Sequence, residues 1–208
     1  MTRKYQQKQR AQRTAETRNR IVQATVDLHG TLGPAQTTVS AIAEKAGVRR
    51  ATVYEHFPDE KAIFEACTQH FHAAHPPPDY RTWATIPDPL ERARLALTDT
   101  YDYHQATEHM MTLALRDASL KPVMWEVSAT QNHIRYWQAA TDTVLEPFRP
   151  QVLVTAALQH AMAFQTWQSL VRAQRLTNAQ AVEVMTAMLR CISTRQFESG
   201  SSDAGGGR

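Results

Sequence analysis

Cysteine is scarce in this chain of 208 residues, which contains only Cys67 and Cys191. Their wide separation matches neither a disulfide framework nor the close cysteine pairs of a structural zinc site. A chain without a disulfide framework suits a reducing compartment. We therefore expect a cytoplasmic protein.

Long apolar runs are also missing. No stretch approaches the roughly 18 consecutive apolar residues that a membrane-spanning helix requires. The amino end is charged, but no apolar segment follows it, so it does not resemble a secretory signal. We expect no membrane partner.

Strand and catalytic signals are absent as well. None of the seven glycines lies in a hairpin dipeptide between alternating apolar runs. The sequence shows no Gly-rich phosphate loop, no His-Glu-x-x-His, and no nucleophile with a base at motif spacing. We predict an all-α protein that is not an enzyme and needs no cofactor.

What the chain does contain is a series of helical patterns separated by proline and glycine. The triplet Pro76-Pro77-Pro78 is the stiffest break, and the Gly/Ser-rich tail Ser199–Arg208 is predicted to be disordered. The predicted helices are Glu16–His29, one capped by Thr38, one ended by Pro58, Asp59–His75, one opened by Asp88-Pro89, Glu108–Ser119, Val123–Val144, Gln151–Ala173 and Asn178–Phe197.

The most specific pattern covers residues 38–57, TVSAIAEKAGVRRATVYEHF. Apolar residues recur three and four apart on a first helix, Val53 and Phe57 lie four apart on a second, and Gly47 lies between the two. Two helices joined by a short glycine-containing turn form a helix-turn-helix unit, whose second helix enters the DNA major groove. This stretch predicts DNA binding.

The outward face of the second helix carries residues that suit DNA. Arg49 and Arg50 are placed to contact guanine O6 and N7 or phosphate, and Thr52 offers a hydroxyl and a methyl group to base edges. Arginine is a poor helix cap, so we expect this helix to be capped less well at Arg49.

Basic charge is concentrated near the amino end. Residues 1–65 contain 11 Lys/Arg and 7 Asp/Glu, for a net charge of +4, whereas the remaining 143 residues contain 12 and 13, for a net charge of −1. The first twenty residues contain seven Arg/Lys and one Glu. They form either a solvated, disordered tail or an arm that faces DNA phosphates.

The run Thr17–Ala66 resembles the DNA-binding domain of the TetR family of transcriptional regulators. The shared features are the Arg-x-x-Ile start of the first helix, Gly33 before Thr-Thr-Val, and Ile42-Ala43 followed by Ala46-Gly47-Val48, with Thr52-Val53-Tyr54-x-x-Phe57 on the second helix of the motif. The resemblance implies a three-helix DNA-binding head followed by a larger helical body for ligand binding and dimerisation.

In that family the body pairs two subunits, and a small effector bound within it releases the DNA. The resemblance therefore implies a homodimer and a small effector. The two-fold symmetry of a dimer predicts a near-palindromic double-stranded DNA operator, and the aromatic content of the body indicates an apolar or aromatic effector. The resemblance also implies phosphate contacts from Thr38, Tyr54 and His56, with Lys61 one place later than the common pattern. Tyr54 could instead be a half-buried support for the helix.

Aromatic and methionine side chains in the body are candidate ligand contacts, since adaptable apolar residues with isolated polar groups suit a pocket. Plain core packing is the alternative for each residue, including the two histidines on apolar faces, His104 and His160. The candidate ligand-binding residues are Tyr101, His104, Met110, Met111, Trp125, Trp137, Phe164 and Trp167.

Three histidines close in sequence raise the question of a metal. His70, His72 and His75 scatter around a helix, because residues on one helical face recur three or four apart. We therefore expect no metal site.

Together these patterns predict four segments: a basic flexible arm over 1–15, a DNA-binding domain over 16–62, an effector-binding and dimerisation domain over 63–198, and the tail 199–208. Repressor is the leading hypothesis. The alternatives are a helical small-molecule or lipid-binding protein without specific DNA binding, and a constitutive DNA binder without an effector.

Overall fold

The computed structural model describes residues 3–148 and 152–201, and within these ranges the chain is helical and contains no strand. Helices dominate as predicted. The α-helices of the described residues are α1 Arg3–Thr31, α2 Val39–Ala46, α3 Arg50–His56, α4 Glu60–Ala74, α5 Pro89–Asp117, α6 Val123–Glu126, α7 Ser128–Leu145, α8 Val152–Met162, α9 Phe164–Gln168 and α10 Asn178–Ser201. No helix among the described residues is long and apolar enough to cross a membrane.

Helix α1 begins thirteen residues earlier than predicted, at Arg3 rather than Glu16, so the expected flexible arm is helical from Arg3 onward. The physical reason is composition: the segment is rich in Gln, Arg, Lys and Ala, which favour helix, and contains neither glycine nor proline. At 1.5 Å per residue, α1 is about 44 Å long.

Helix α5 replaces two predicted helices. No proline or glycine separates the fifth and sixth predicted segments, and the structure continues through Gln105, Ala106 and Thr107 without a break. The predicted seventh helix, in contrast, is divided in two, because Val127 has an extended backbone between α6 and α7. Val127 is fully buried with Phe64 and Cys67, so tertiary packing holds the break.

The predicted eighth helix is also interrupted. Ala163 has an extended backbone between α8 and α9, and a π-helical turn, Ser169–Ala173, follows α9. The end of a helix leaves its last carbonyls without intrahelical partners. At this break, the Tyr101 hydroxyl donates to the carbonyl of Ala161 at 2.9 Å, and Nε2 of His104 donates to the carbonyl of Met162 at 3.0 Å.

The chain forms two compact units. The first comprises Met1–Pro76 and Thr107–Ile134, and the second comprises Pro77–Ala106 and Arg135–Arg208. The core of the first unit contains apolar side chains of α1 to α4, including Ile21, Ile42, Val53 and Phe57. In the second unit, the largest fully buried side chains include Trp83, Tyr101 and Trp167.

The carboxyl-terminal tail lies largely outside the described residues. Helix α10 extends to Ser201, past the predicted helix end at Phe197, and residues 202–208 of the predicted disordered tail are not described. Gln151, the predicted first residue of the eighth helix, is also outside the described ranges; α8 begins at Val152.

Candidate nucleic-acid interface

The helix-turn-helix unit is built by local signals in the sequence. The hydroxyl of Thr38 accepts a hydrogen bond from the amide of Ala41 at 3.1 Å and so caps α2. Gly47 ends α2 in the left-handed conformation, with φ of 65°, which glycine adopts without steric cost. Helix α3 then begins at Arg50, and Arg49 gives it no side-chain cap, as predicted.

Helix α3 is anchored through its inward side. Val53 is fully buried and Phe57 is 1% exposed, and both belong to the core of the first unit. The guanidinium of Arg18 on α1 lies 4.8 Å from the centroid of the Phe57 ring. Because these contacts fix one face of α3, its opposite face is presented to solvent in a defined orientation.

The solvent face of α3 carries the residues predicted to read DNA. Arg49, Arg50 and Tyr54 are exposed, and Thr52 and His56 are partly buried. Nη2 of Arg50 donates to the Tyr54 hydroxyl at 3.3 Å, and the guanidinium lies 5.7 Å from the centroid of that ring. Tyr54 is 43% exposed, so it is a surface residue rather than a buried support.

An open groove of about 490 Å³ lies between the amino-terminal part of α1 and α3. Its α1 side carries two arginines, Arg10 and Arg13, and its α3 side carries Thr52 and His56. Among the described residues, no acidic side chain lines it. The described lining residues are Gln6, Gln9, Arg10, Arg13, Thr14, Thr17, Thr52 and His56.

The α1 residues of this groove were not among the predicted contacts, although the sequence contains their signal. Gln6, Gln9, Arg10, Arg13, Thr14 and Thr17 recur three and four positions apart, which places them on one face of a helix. The pattern was missed because residues 1–15 were expected to be a flexible arm, in which periodicity has no structural meaning.

Two predicted contacts lie beside α3. Thr38 is exposed at the start of α2. Lys61 lies at the start of α4, where its ammonium is 3.9 Å from a carboxylate oxygen of Glu126. Both side chains are more than half exposed, so the pair is a weak surface interaction that leaves Lys61 accessible.

The predicted ligand contacts separate into two groups. Tyr101, His104, Trp137, Phe164 and Trp167 cluster in the second unit, where the four other rings lie within 6.3 Å of the His104 ring. Met110, Met111 and Trp125 lie in the first unit instead. Trp125 is 42% exposed there, and its indole N–H donates to the carbonyl of Ala118 at 3.3 Å.

The histidines of α4 have separate surroundings. Nε2 of His70 lies 3.0 Å from Oε1 of Gln23, and His72 stacks on His133 with ring centroids 4.1 Å apart. Nδ1 of His75 lies 3.2 Å from the carbonyl of Phe71. No group of three or more metal-ligating side chains converges within the described residues.

Comparison with known proteins identifies the head. The family model for bacterial regulatory proteins of the tetR family matches residues 21–67, which include all of α2 and α3. Residues 21–67 are therefore similar to the bacterial regulatory proteins of the tetR family. Arg10 and Arg13 lie before the matched residues, so the groove lies between α3, which belongs to the matched segment, and a part of α1 outside it.

Solved structures extend the similarity to the fold of most of the chain. A TetR-like transcriptional regulator from Rhodococcus sp. RHA1 is 18% identical, with a TM-score of 0.58, over 83% of this chain and 93% of that one. A TetR transcription regulator from Haloarcula marismortui is 16% identical, with a TM-score of 0.54, over 87% of this chain and 98% of that one. No curated protein matches. The TetR-family head and the TetR-like fold support a DNA-binding transcriptional regulator.

Proposed function

We propose that this chain is a transcriptional repressor that binds a near-palindromic operator as a homodimer and is released by a small apolar or aromatic ligand held in its body. The observation that carries this proposal is the solvent face of α3, where Arg50 and Tyr54 are exposed while Val53 and Phe57 anchor the helix. Arg50 reads a guanine in the major groove, and Thr52 contacts base edges.

The groove between α1 and α3 supplies the phosphate contacts. A DNA backbone carries one negative charge per nucleotide, and Arg10 and Arg13 give the groove positive charge, with no carboxylate among its described lining residues. Hydroxyl and amide groups from the remaining lining residues can donate to phosphate oxygens. Thr38, Tyr54, His56 and Lys61 add contacts around the rim of the reading helix.

Exposed apolar side chains on α8 and α10 support dimerisation through the body. Val152 and Leu153 on α8 are 84% and 58% exposed, and Val184 and Met188 on α10 are 39% and 48% exposed. Val184 and Met188 are four residues apart and therefore share a helical face. Apolar side chains grouped in this way commonly mark a protein interface. For a two-fold symmetric dimer, we expect the two half-sites of the operator to lie about 34 Å apart, which is one helical turn of DNA, or a multiple of that distance.

The aromatic cluster of the second unit supports a ligand-responsive body. It contains five of the eight predicted ligand contacts, of which four lie around the fifth, the buried His104. Repression, rather than activation, is the simplest outcome of placing a protein dimer on an operator, and release by the ligand makes the repression conditional. In this proposal residues 16–62 form the DNA-binding head, and residues 63–198 form the effector-binding and dimerisation body.

The test is a pair of arginine variants measured on an operator obtained by selection from random duplexes. Arg50→Ala should lower operator affinity by about tenfold or more, because one bidentate guanine contact contributes about 1–3 kcal/mol of discrimination. Thermal stability should remain near wild type, since the side chain is exposed.

Arg81→Ala is a matched control in the second unit. The Arg81 guanidinium lies 5.8 Å from the centroid of the Tyr80 ring, much as Arg50 lies over Tyr54. The control should leave operator affinity unchanged. Equal affinities for wild type and Arg50→Ala would show that α3 is not the reading helix, and a protein that binds small molecules but no duplex would support the alternative function.

A further inference from the structure

The centre of the aromatic cluster in the second unit is His104, which lies on α5 and is only 6% exposed. The distances from its ring centroid to those of the surrounding rings range from 5.5 to 6.3 Å. The surrounding rings are Phe164, Trp137, Trp167, Tyr103 and Tyr101. A polar side chain is therefore enclosed by aromatic surface contributed by α5, α7 and α9.

The hydrogen bonds of His104 leave one nitrogen unused. A carbonyl oxygen can only accept, so the 3.0 Å contact with the Met162 carbonyl requires Nε2 to carry the proton and donate. In the neutral ring Nδ1 then bears a lone pair and can only accept. Nδ1 is buried and has no hydrogen-bond partner among the described residues. Buried acceptors are usually satisfied, and leaving one unpaired is unfavourable.

His104 is neutral under ordinary conditions. Burial lowers its pKa from 6.5 to about 4, with the bond to the Met162 carbonyl acting in the opposite direction. The ring therefore offers a ligand an acceptor rather than a positive charge. This favours a ligand that donates a hydrogen bond. A carboxylate can only accept, so it forms no hydrogen bond with Nδ1 of His104.

Met162 and Phe164 form a wall of the cluster beside His104, and this wall contains a break between two helices. Helix α8 ends at Met162, Ala163 is extended, and α9 begins at Phe164, so two side chains of the wall flank a break rather than lying within a continuous helix. Methionine has three rotatable bonds and fills irregular space readily. We expect room for a ring to come from rotation of the Met162 and Phe164 side chains, which flank this break.

We propose that this cluster binds a neutral aromatic ligand that carries a hydroxyl or N–H group and donates one hydrogen bond from it to Nδ1 of His104. The inference rests on the proposed ligand-responsive function and specifies the class of ligand. The rings of Trp137, Phe164 and Trp167 contact the aromatic part of the ligand, and His104 selects the donor. Ethers and ketones of the same shape lack the donor and bind less tightly.

The test compares 2-naphthol with 2-methoxynaphthalene by isothermal titration calorimetry on the full chain without DNA. The two probes share the ring system, but only the naphthol can donate. We expect 2-naphthol to bind about tenfold more tightly, equivalent to about 1.4 kcal/mol for the recovered hydrogen bond. A third probe, 2-naphthoate, tests whether the Arg172 guanidinium, 5.1 Å from the centroid of the Trp167 ring, favours an anion instead.

Two variants assign the preference to Nδ1. His104→Phe keeps a ring but removes both nitrogens, so the tenfold preference should disappear. Thr100→Val is the matched control: it removes a fully buried hydroxyl on α5 that likewise has no hydrogen-bond partner among the described residues, but it leaves Nδ1 of His104 intact. The preference should survive in Thr100→Val.

The wild-type comparison alone can overturn the inference, even if His104→Phe does not fold. Equal binding of naphthol and its methyl ether, tighter binding of naphthoate, or no binding of naphthol at about 1 mM would each contradict it. Operator release is measured separately. If naphthol binds but does not release the operator, the ligand site is supported and the regulatory function is refuted. If a compound without a donor releases the operator, the regulatory function is supported and the preference for a donor is refuted.

Discussion

Gly33→Ala is the substitution for which the structure gives the most specific expectation. Gly33 lies in the loop between α1 and α2 with φ of 90° and ψ of 158°, a conformation that side-chain-bearing residues rarely adopt. A Cβ at this position would overlap Nη2 of Arg116 and Oδ2 of Asp117 at the end of α5. The substitution therefore strains the backbone and displaces two side chains at once.

The expected loss follows from those two effects. A non-glycine residue in such a region costs about 1–3 kcal/mol. The displaced groups are hydrogen-bonded to the same loop: Asp117 accepts from the amide of Ala35 at 2.9 Å, and Arg116 donates to the carbonyl of Leu32 at 2.8 Å. Arg116 is half exposed and can move, but the Asp117 side chain is 4% exposed and cannot be rehydrated easily. Losing its bond adds about 1–3 kcal/mol, for a total of about 2–6 kcal/mol.

Urea unfolding followed by circular dichroism measures this loss, and Gly30→Ala is the matched control. Gly30 lies within α1, where a Cβ would meet only Cε of Met110 at 3.5 Å, an ordinary contact. Alanine should stabilise that position by about 0.5–1 kcal/mol. A Gly33→Ala protein within about 1 kcal/mol of wild type would refute the described loop geometry, as would equal losses in the two variants.

Three further expectations concern charge, pH and thiol reactivity. Replacing Arg10 and Arg13 with alanine should reduce the slope of log affinity against log salt by about 3.6 for the four arginines of a dimer, because each phosphate contact contributes about 0.9. An unchanged slope would show that the groove does not contact DNA. The lowered pKa of His104 means that, between pH 6.5 and 4, the unfolded chain binds more protons than the folded one, so stability falls as pH falls. The free energy of unfolding should drop by about 2 kcal/mol from this group at pH 5, and His104→Phe should lose correspondingly less in urea titrations at pH 7.5 and 5. Burial raises the pKa of the Cys67 thiol to about 12, whereas Cys191 is exposed. A thiol reagent should therefore modify Cys191 quickly in the native protein and Cys67 only after unfolding. Rapid modification of both would contradict the burial of Cys67.

The helix-turn-helix unit was predictable because its signals are local. The Thr38 cap, the left-handed Gly47 and the four-residue spacing of Val53 and Phe57 each act over a few residues, so the sequence alone specified α2, the turn and α3. Asp59 behaves in the same way: it accepts from the amide of Ala62 at 2.7 Å and caps α4, as expected.

The features that sequence patterns missed depend on distant contacts. Neither Val127 nor Ala163 is a helix-breaking residue type, yet helices end beside both. At the break beside Ala163, the carbonyls of Ala161 and Met162 accept hydrogen bonds from Tyr101 and His104, which lie about sixty residues earlier in the chain. Apolar periodicity on α5 likewise could not distinguish Tyr101 and His104 from Met110, because one long helix contributes to both compact units.

The most direct test of the central claim is selection of bound sequences from random duplexes by the purified chain at low ionic strength. The account predicts enrichment of a two-fold symmetric sequence, with half-sites about 34 Å apart or a multiple of that distance, bound by a dimer. A monomer that enriches no sequence and shows no affinity for any duplex would contradict it.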